Sequence, residues 1–165
     1  MAIALLNFNQ HGSTVQSIFN FYIENSTALY EYEPRSEKVV EDWFAFRTEK
    51  NWPILGYFEK DREKPLGFAT FGFFRPQAAY KTTVEHSVYV HPDHQQKGIA
   101  SLLLQELMAK CKEMKFHSMV GVIDSKNFPS ILLHQKFSFT LSGEIKQAAY
   151  KFETWLDVVF YQKIL

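Results

Sequence analysis

The chain has a single cysteine, Cys111, so no disulfide can form within it. A lone thiol suits a reducing compartment, and a cytoplasmic protein is expected. Neither sign of charge is in excess: 18 Lys and Arg stand against 18 Asp and Glu, for a formal net charge of zero. Nucleic acid therefore finds no electrostatic footprint and is not expected as a partner. Long apolar runs are lacking too. The opening stretch MAIALLNFNQ has no basic region and its apolar run ends at Leu6, so neither a signal peptide nor a membrane span is expected. His86, His91, His94 and His117 have no carboxylates at usable ligand spacing, and no metal is expected. GxGxxG and GK[ST] are both absent, which excludes the dinucleotide fingerprint and the Walker loop. No repeat, linker or low-complexity tract divides residues 1–165, so one domain with a sizeable core is expected.

Aromatic residues, by contrast, are plentiful, with 16 Phe, 8 Tyr and 3 Trp that mostly supply packing surface. The most informative stretch is Thr83 to Leu104, TTVEHSVYVHPDHQQKGIASLL. Val84, His86, Val88 and Val90 alternate with Glu85, Ser87 and Tyr89, which is the period of a strand. His91-Pro92-Asp93 breaks it, since proline cannot donate to a ladder. Beyond Gly98, the residues Ile99, Leu102, Leu103, Leu107, Cys111 and Met114 recur at helical spacing. Cys111 on that stripe reads as packing rather than as a nucleophile. Strand, small-residue turn and helix N-terminus together make an anion site. Unpaired amides point at a phosphate, and Gly98 and Ala100 leave it room.

The rest of the chain reads as a mixed α+β domain. Ile3 to Phe8 makes a short first strand, and Val15, Ile18, Phe19, Tyr22 and Ile23 mark one face of a helix. Asn25 to Pro34 is a loop, and Ser36 caps a helix carrying Val39, Val40, Trp43, Phe44 and Arg47. Pro53 to Glu59 and Leu66 to Phe74 form a hairpin. After the long helix come a buried strand from Ser118 to Ile123 and a short helix capped by Asn127 and ending near Phe137. Two strands, Phe139 to Ile145 and Thr154 to Tyr161, then pair antiparallel. One parallel step is expected where the long helix crosses between two strands.

The order Q-Q-K-G-I-A from Gln95 to Ala100 resembles the pyrophosphate loop Q/R-x-x-G-x-G/A of the GNAT acetyltransferases. VEHSVYVHPDHQ before it, N-x-x-S-x-x-x-H-x-K-F from Asn127 to Phe137, and KFETWLDVVFYQ from Lys151 to Gln162 are similar to the phosphinothricin N-acetyltransferase branch. The resemblance covers nearly the whole chain. It implies the GNAT fold, a mixed and mostly antiparallel central sheet flanked by helices. It also implies acetyl-CoA as co-substrate and a small-molecule amine as acceptor. The expected activity is direct N-acetylation of a small α-amino acid such as phosphinothricin, methionine sulfoximine or methionine sulfone. A protein N-terminus, a polyamine, or a silent acyl-CoA sensor are the alternatives. Arg75 speaks against the acidic channel of a polyamine enzyme, and a sensor has no need of Glu85.

Periodicity alone leaves Glu85 between a solvated strand carboxylate and a partly desolvated general base. The resemblance assigns it the base. It also implies pantetheine and acetyl contacts at Val88, Tyr89 and Val90, where an open strand edge can hold the pantetheine amides and one N–H can act as oxyanion donor. Gln95, Gln96, Lys97, Gly98, Ile99, Ala100 and Ser101 are expected to cradle the pyrophosphate, mainly by main-chain amides. Asn127, Ser130 and His134 share a helix face. They read as cap and solvent-facing residues, or as a site meeting the middle of the cofactor. His134 stands where many relatives carry the tyrosine that protonates the thiolate, so it either donates that proton or only positions the thiol. Arg75 is an exposed loop arginine or, by resemblance, the carboxylate clamp. Phe73 and Tyr32 are expected to wall the substrate, with His86 and Ser87 beside it. Ala100 and Ser138 replace glycines common in the family, and Ser138 is strained if its φ is positive. Lys151 and Trp155 belong to a final hairpin that in relatives closes the site, and a homodimer through that hairpin is expected.

Overall fold

One seven-stranded sheet, ordered β1-β2-β3-β4-β5-β7-β6, carries every other element. It is seen in a computed structural model that describes residues 2–60 and 62–165. The strands are β1 (Ala2–Leu5), β2 (Ile54–Phe58), β3 (Gly67–Phe73), β4 (Thr83–Val90), β5 (Ser118–Asp124), β6 (Thr140–Lys151) and β7 (Thr154–Ile164). The helices are α1 (Phe8–Asn25), α2 (Glu37–Glu49), α3 (Ile99–Glu113) and α4 (Phe128–Lys136). Neighbouring strands are antiparallel except β4 and β5, which are parallel. A parallel neighbour requires a crossover, and α3 supplies it. The mixed, mostly antiparallel α+β architecture and its single parallel step match the sequence reading.

Each face of the sheet has its own core, as the strand alternation dictates. Val15, Ile18 and Phe19 of α1 and Val40 and Phe44 of α2 pack on Ile54, Phe68 and Tyr89. On the other face Ile99, Leu103, Leu104, Leu107 and Cys111 of α3 lie against Ala69, Phe71, Val84 and Met119. Each large side chain buried there contributes roughly 1.5–3 kcal/mol. The period-2 reading of β4 holds, since Tyr89 joins the first core while Val84 and Val90 join the second. Leu102 and Met114, expected on the α3 stripe, are instead exposed at its margin.

Some strand boundaries differ from the reading, and β7 runs on from Tyr161 to Ile164. The first strand ends at Leu5, and helix α1 begins at Phe8, because the Asn7 side chain accepts from Gln10 N–H at 3.0 Å and caps the helix. Strand β6 runs on to Lys151, past the expected Ile145, with register shifts against β7. Ser36 caps α2 as read, its Oγ accepting from Val39 N–H at 3.3 Å.

Candidate active site

β4 and β5 pair only at Thr83↔Ser118, Val84↔Met119 and Glu85↔Val120, and then separate. From His86 onward the β5 side of β4 has no strand partner, so its main chain is a free edge. The wedge opens into a cavity of about 530 Å³ between the sheet, the start of α3 and helix α4. A second cavity of about 270 Å³ lies on the α1 and α2 side of the sheet. The two share Ala28, His86, Ser87, Tyr89 and Val122, so they meet around β4.

Val88, Tyr89, Val90, Gln95, Gln96, Gly98, Ile99, Ala100 and Ser101 all line the larger cavity. Gly98 is the N-cap of α3 and offers no side chain to its amides. The amides of Ile99, Ala100 and Ser101 precede the first helical hydrogen bond, Leu102 N–H to Gly98 O at 3.2 Å. Nothing lies within 4 Å of a Cβ built on Gly98, and its φ is +80°, so left-handed backbone rather than crowding calls for glycine. Gln96 is left-handed too, at φ 59°. These free amides, with the positive end of a 15-residue helix, suit a phosphate. Lys97 does not line the cavity. Its ammonium donates to Asp93 O at 3.1 Å, while Lys136, which does line it, donates to Ser101 Oγ at 3.3 Å.

Asn127, Ser130 and His134 also line this cavity, but their polar atoms are largely engaged. Asn127 Oδ1 caps α4 on Ser130 N–H at 3.2 Å. His134 Nδ1 lies 2.6 Å from Ser130 O, a pure acceptor, so that nitrogen carries the proton. Its Nε2 is 3.0 Å from Nε2 of His86, and both imidazoles are buried with their pKa values pushed down by desolvation. With both rings neutral, His86 Nε2–H donates and His134 Nε2 accepts. His134 then has no free proton for a thiolate, which favours the positioning role of the two expected. Gly121 makes room for this pair, since a Cβ there would stand 2.4 Å from His134 Nε2. The α4 helix ends with Ser138 at φ 61°, so the substituted glycine position is left-handed.

Glu85 faces the smaller cavity with Ser87. Burial raises its carboxyl pKa, opposed by the charge of Arg75. Arg75 Nη1 stands 4.0 Å from Glu85 Oε2. Arg75, Phe73 and Tyr32, expected around the substrate, line neither cavity. Arg75 is exposed and folded over Phe74, donating to Phe74 O at 2.6 Å. Phe73 packs edge-on against Trp52, and Tyr32 donates to Tyr150 O at 2.6 Å. Lys151 is buried and holds main-chain carbonyls of the last turn of α1 and of the segment after it.

Other lining residues escape sequence reasoning. Tyr22 sits on the apolar stripe of α1 and reads as core. Its hydroxyl donates to Val90 O at 2.7 Å and accepts from Gln95 Nε2 at 3.0 Å, tying helix, strand and phosphate loop together. Arg35 and Arg47 line the smaller cavity with Tyr30 and Thr70. As a residue before a helix cap and one in a last turn, they carry no motif.

Known proteins are similar to this chain in sequence and fold. The model of the Acetyltransferase (GNAT) family matches residues 15–139. An L-methionine sulfoximine/L-methionine sulfone acetyltransferase of Pseudomonas paraeruginosa is 37% identical over 148 residues, 90% of this chain and 86% of its own. A phosphinothricin N-acetyltransferase of Streptomyces viridochromogenes is 32% identical over 152 residues, 92% of this chain and 81% of its own. A GNAT superfamily phosphinothricin acetyltransferase from Sinorhizobium meliloti, solved in complex with acetyl-CoA, superposes with a TM-score of 0.95 at 30% identity, covering 99% of this chain and 88% of its own. The free amides at the start of α3, the open edge of β4 and these relatives agree, and the chain belongs to the GNAT acetyltransferase family.

Proposed function

We propose that this protein transfers the acetyl group of acetyl-CoA to the α-amino group of a small amino acid. Phosphinothricin, methionine sulfoximine and methionine sulfone are the first acceptors to test. The observation that carries the reading is the meeting of the two cavities around β4, with Glu85 in one and the open amides of α3 lining the other. Acetyl-CoA supplies an activated acyl group. The amides of Ile99, Ala100 and Ser101, helped by Lys136, hold its pyrophosphate, and the free edge of β4 aligns its pantetheine arm. Glu85 takes the proton from the amine, a role its raised pKa suits. A main-chain N–H in the Val88–Val90 segment donates to the carbonyl oxygen as it gains charge. His134, locked by His86 and Ser130, shapes the thiol end. No acyl-enzyme forms, since burial pushes the Cys111 thiol up to about 12 and keeps it in the core.

The test is free-thiol release across pH for the wild type, Glu85→Gln and Arg75→Ala. Loss of the base lowers kcat/KM by about 10²–10⁴. Arg75 lowers the Glu85 pKa, so its removal moves the acid limb of kcat/KM to higher pH. Undiminished turnover in Glu85→Gln, or an acid limb that moves down in Arg75→Ala, defeats the assignment. The reading extends to a homodimer through the β6–β7 hairpin, whose Leu141, Ile145, Phe152 and Trp155 are exposed apolar side chains.

A further inference from the structure

We propose that the acceptor's carboxylate is held by Arg47 together with Arg35, inside the smaller cavity, and not by Arg75. This rests on the amino-acid acetyltransferase reading and names the residues that select an amino acid over other amines.

Charge accounting in that cavity leads there. Its lining carries two guanidiniums, Arg35 and Arg47, and two carboxylates, Glu31 and Glu85. Glu31 is already taken: its Oε1 accepts from both Nε and Nη2 of Arg35. That leaves Arg47 as a cation and Glu85 as an anion, neither of them ion-paired to a residue of the lining. Arg47 makes no ion pair among the described residues. Its Nε donates to Thr70 Oγ1 at 3.3 Å and its Nη1 to Trp43 O at 3.4 Å, both long, and Nη2 has no partner. Arg35 Nη1 is buried and has no hydrogen-bond acceptor at all. A buried guanidinium N–H without an acceptor costs free energy unless a ligand supplies one.

Both guanidiniums are held flat and in place. Arg47 stacks on Trp43 at 3.9 Å from the ring centroid, and Arg35 on Phe19 at 4.0 Å. The Arg35 backbone is pinned from α1, since its N–H donates to Asn20 Oδ1 at 2.8 Å and its carbonyl accepts from Gln16 Nε2 at 2.9 Å. Stacked, pre-oriented forks are what a planar carboxylate binds. Desolvation, then the neighbouring charge of Arg35, brings Arg47 down to about 10. An arriving anion relieves both. A cation and an anion that no other residue of the lining pairs, in a cavity of about 270 Å³, are complementary to a small zwitterion, with the amine at Glu85 and the carboxylate at Arg47. Arg75 lies outside this cavity and, 4.0 Å from Glu85, tunes the base instead.

The test compares methionine sulfone with its primary carboxamide, which keeps the amine and removes the carboxylate charge. The enzymes are the wild type, Arg47→Gln, Arg35→Gln and Arg75→Gln, each checked for folding by thermal unfolding. The ratio of kcat/KM for acid over amide is expected to fall roughly 10- to 100-fold in Arg47→Gln and to fall in Arg35→Gln, the loss of a charged hydrogen bond. It is expected to persist in Arg75→Gln. A ratio unchanged in folded Arg47→Gln and Arg35→Gln, or lost in Arg75→Gln, overturns the inference while leaving the acetyltransferase reading standing. Failure of the wild type to acetylate methionine sulfone, methionine sulfoximine or phosphinothricin while it turns over another amine overturns the amino-acid reading itself, and this inference with it.

Discussion

Replacing Lys151 with methionine is expected to destabilise the protein and loosen both cavities. Lys151 sits at the end of β6, 3% exposed. Its ammonium donates to Ile23 O at 2.6 Å, Ser26 O at 2.9 Å and Leu29 O at 2.6 Å. The first carbonyl belongs to the last turn of α1, where orphan acceptors and the negative end of the helix favour a cation. Methionine fills most of the volume but donates nothing. An abandoned buried acceptor costs about 1–3 kcal/mol. The low end for each of the three carbonyls, less the relief of a desolvated ammonium whose pKa burial pulls down, leaves a net loss of about 2–3 kcal/mol. For a chain of this size each kcal/mol moves Tm by about 2–4 °C, so Tm should fall by roughly 4–12 °C. Circular dichroism on heating measures this, and a urea midpoint shift at constant slope checks it. The segment so held includes Ala28, which lines both cavities, and Leu29 and Tyr30, which line the smaller. KM for the amine should therefore rise as well. A Tm within about 2 °C of wild type would refute the accounting, because it would mean that water replaces the ammonium at no cost.

Ser138→Gly should raise stability. Ser138 is left-handed at φ 61° and closes α4, with Ser138 N–H on Gln135 O at 2.9 Å and Phe139 N–H on His134 O at 3.0 Å. The left-handed backbone costs an L-residue about 1–2 kcal/mol, and glycine returns about 0.4–1 kcal/mol of that as unfolded-chain entropy. A Tm rise of a few degrees by calorimetry is expected, and a fall would contradict the strain assignment. Trp155, 57% exposed on β7, is expected in the proposed dimer contact. Sedimentation velocity should show a wild-type dimer and a monomer for Trp155→Glu, and a monomeric wild type would remove the proposal.

Much of this was legible in one dimension because the responsible interactions are local. The alternation of Val84 to Val90 sorts side chains onto two faces, and Asn127 and Ser36 cap their own helices. Gly98 takes a left-handed turn that opens α3, so the phosphate loop can be read from a few adjacent residues. Boundaries were less legible where a side chain chose between two uses. Asn7 reads as part of the first strand until its side chain is seen capping α1.

The local periods determined by themselves the α+β class and the one parallel crossover, and the resemblance carried by the phosphate loop and the motifs around it implied the family. Only the tertiary structure decided who surrounds the reacting groups. Arg75 and Phe73 lie close to Glu85 in sequence yet line neither cavity, while Arg35 and Arg47, distant along the chain and without motif, are brought to the cavity of Glu85 by the packing of α1 and α2 on the sheet. His86 and His134 lie 48 positions apart, and no spacing rule announces that their Nε2 atoms are 3.0 Å from each other. The reason is physical: periodicity encodes which face a residue occupies, but charge balance, desolvation and proton placement depend on what the opposite face brings to meet it.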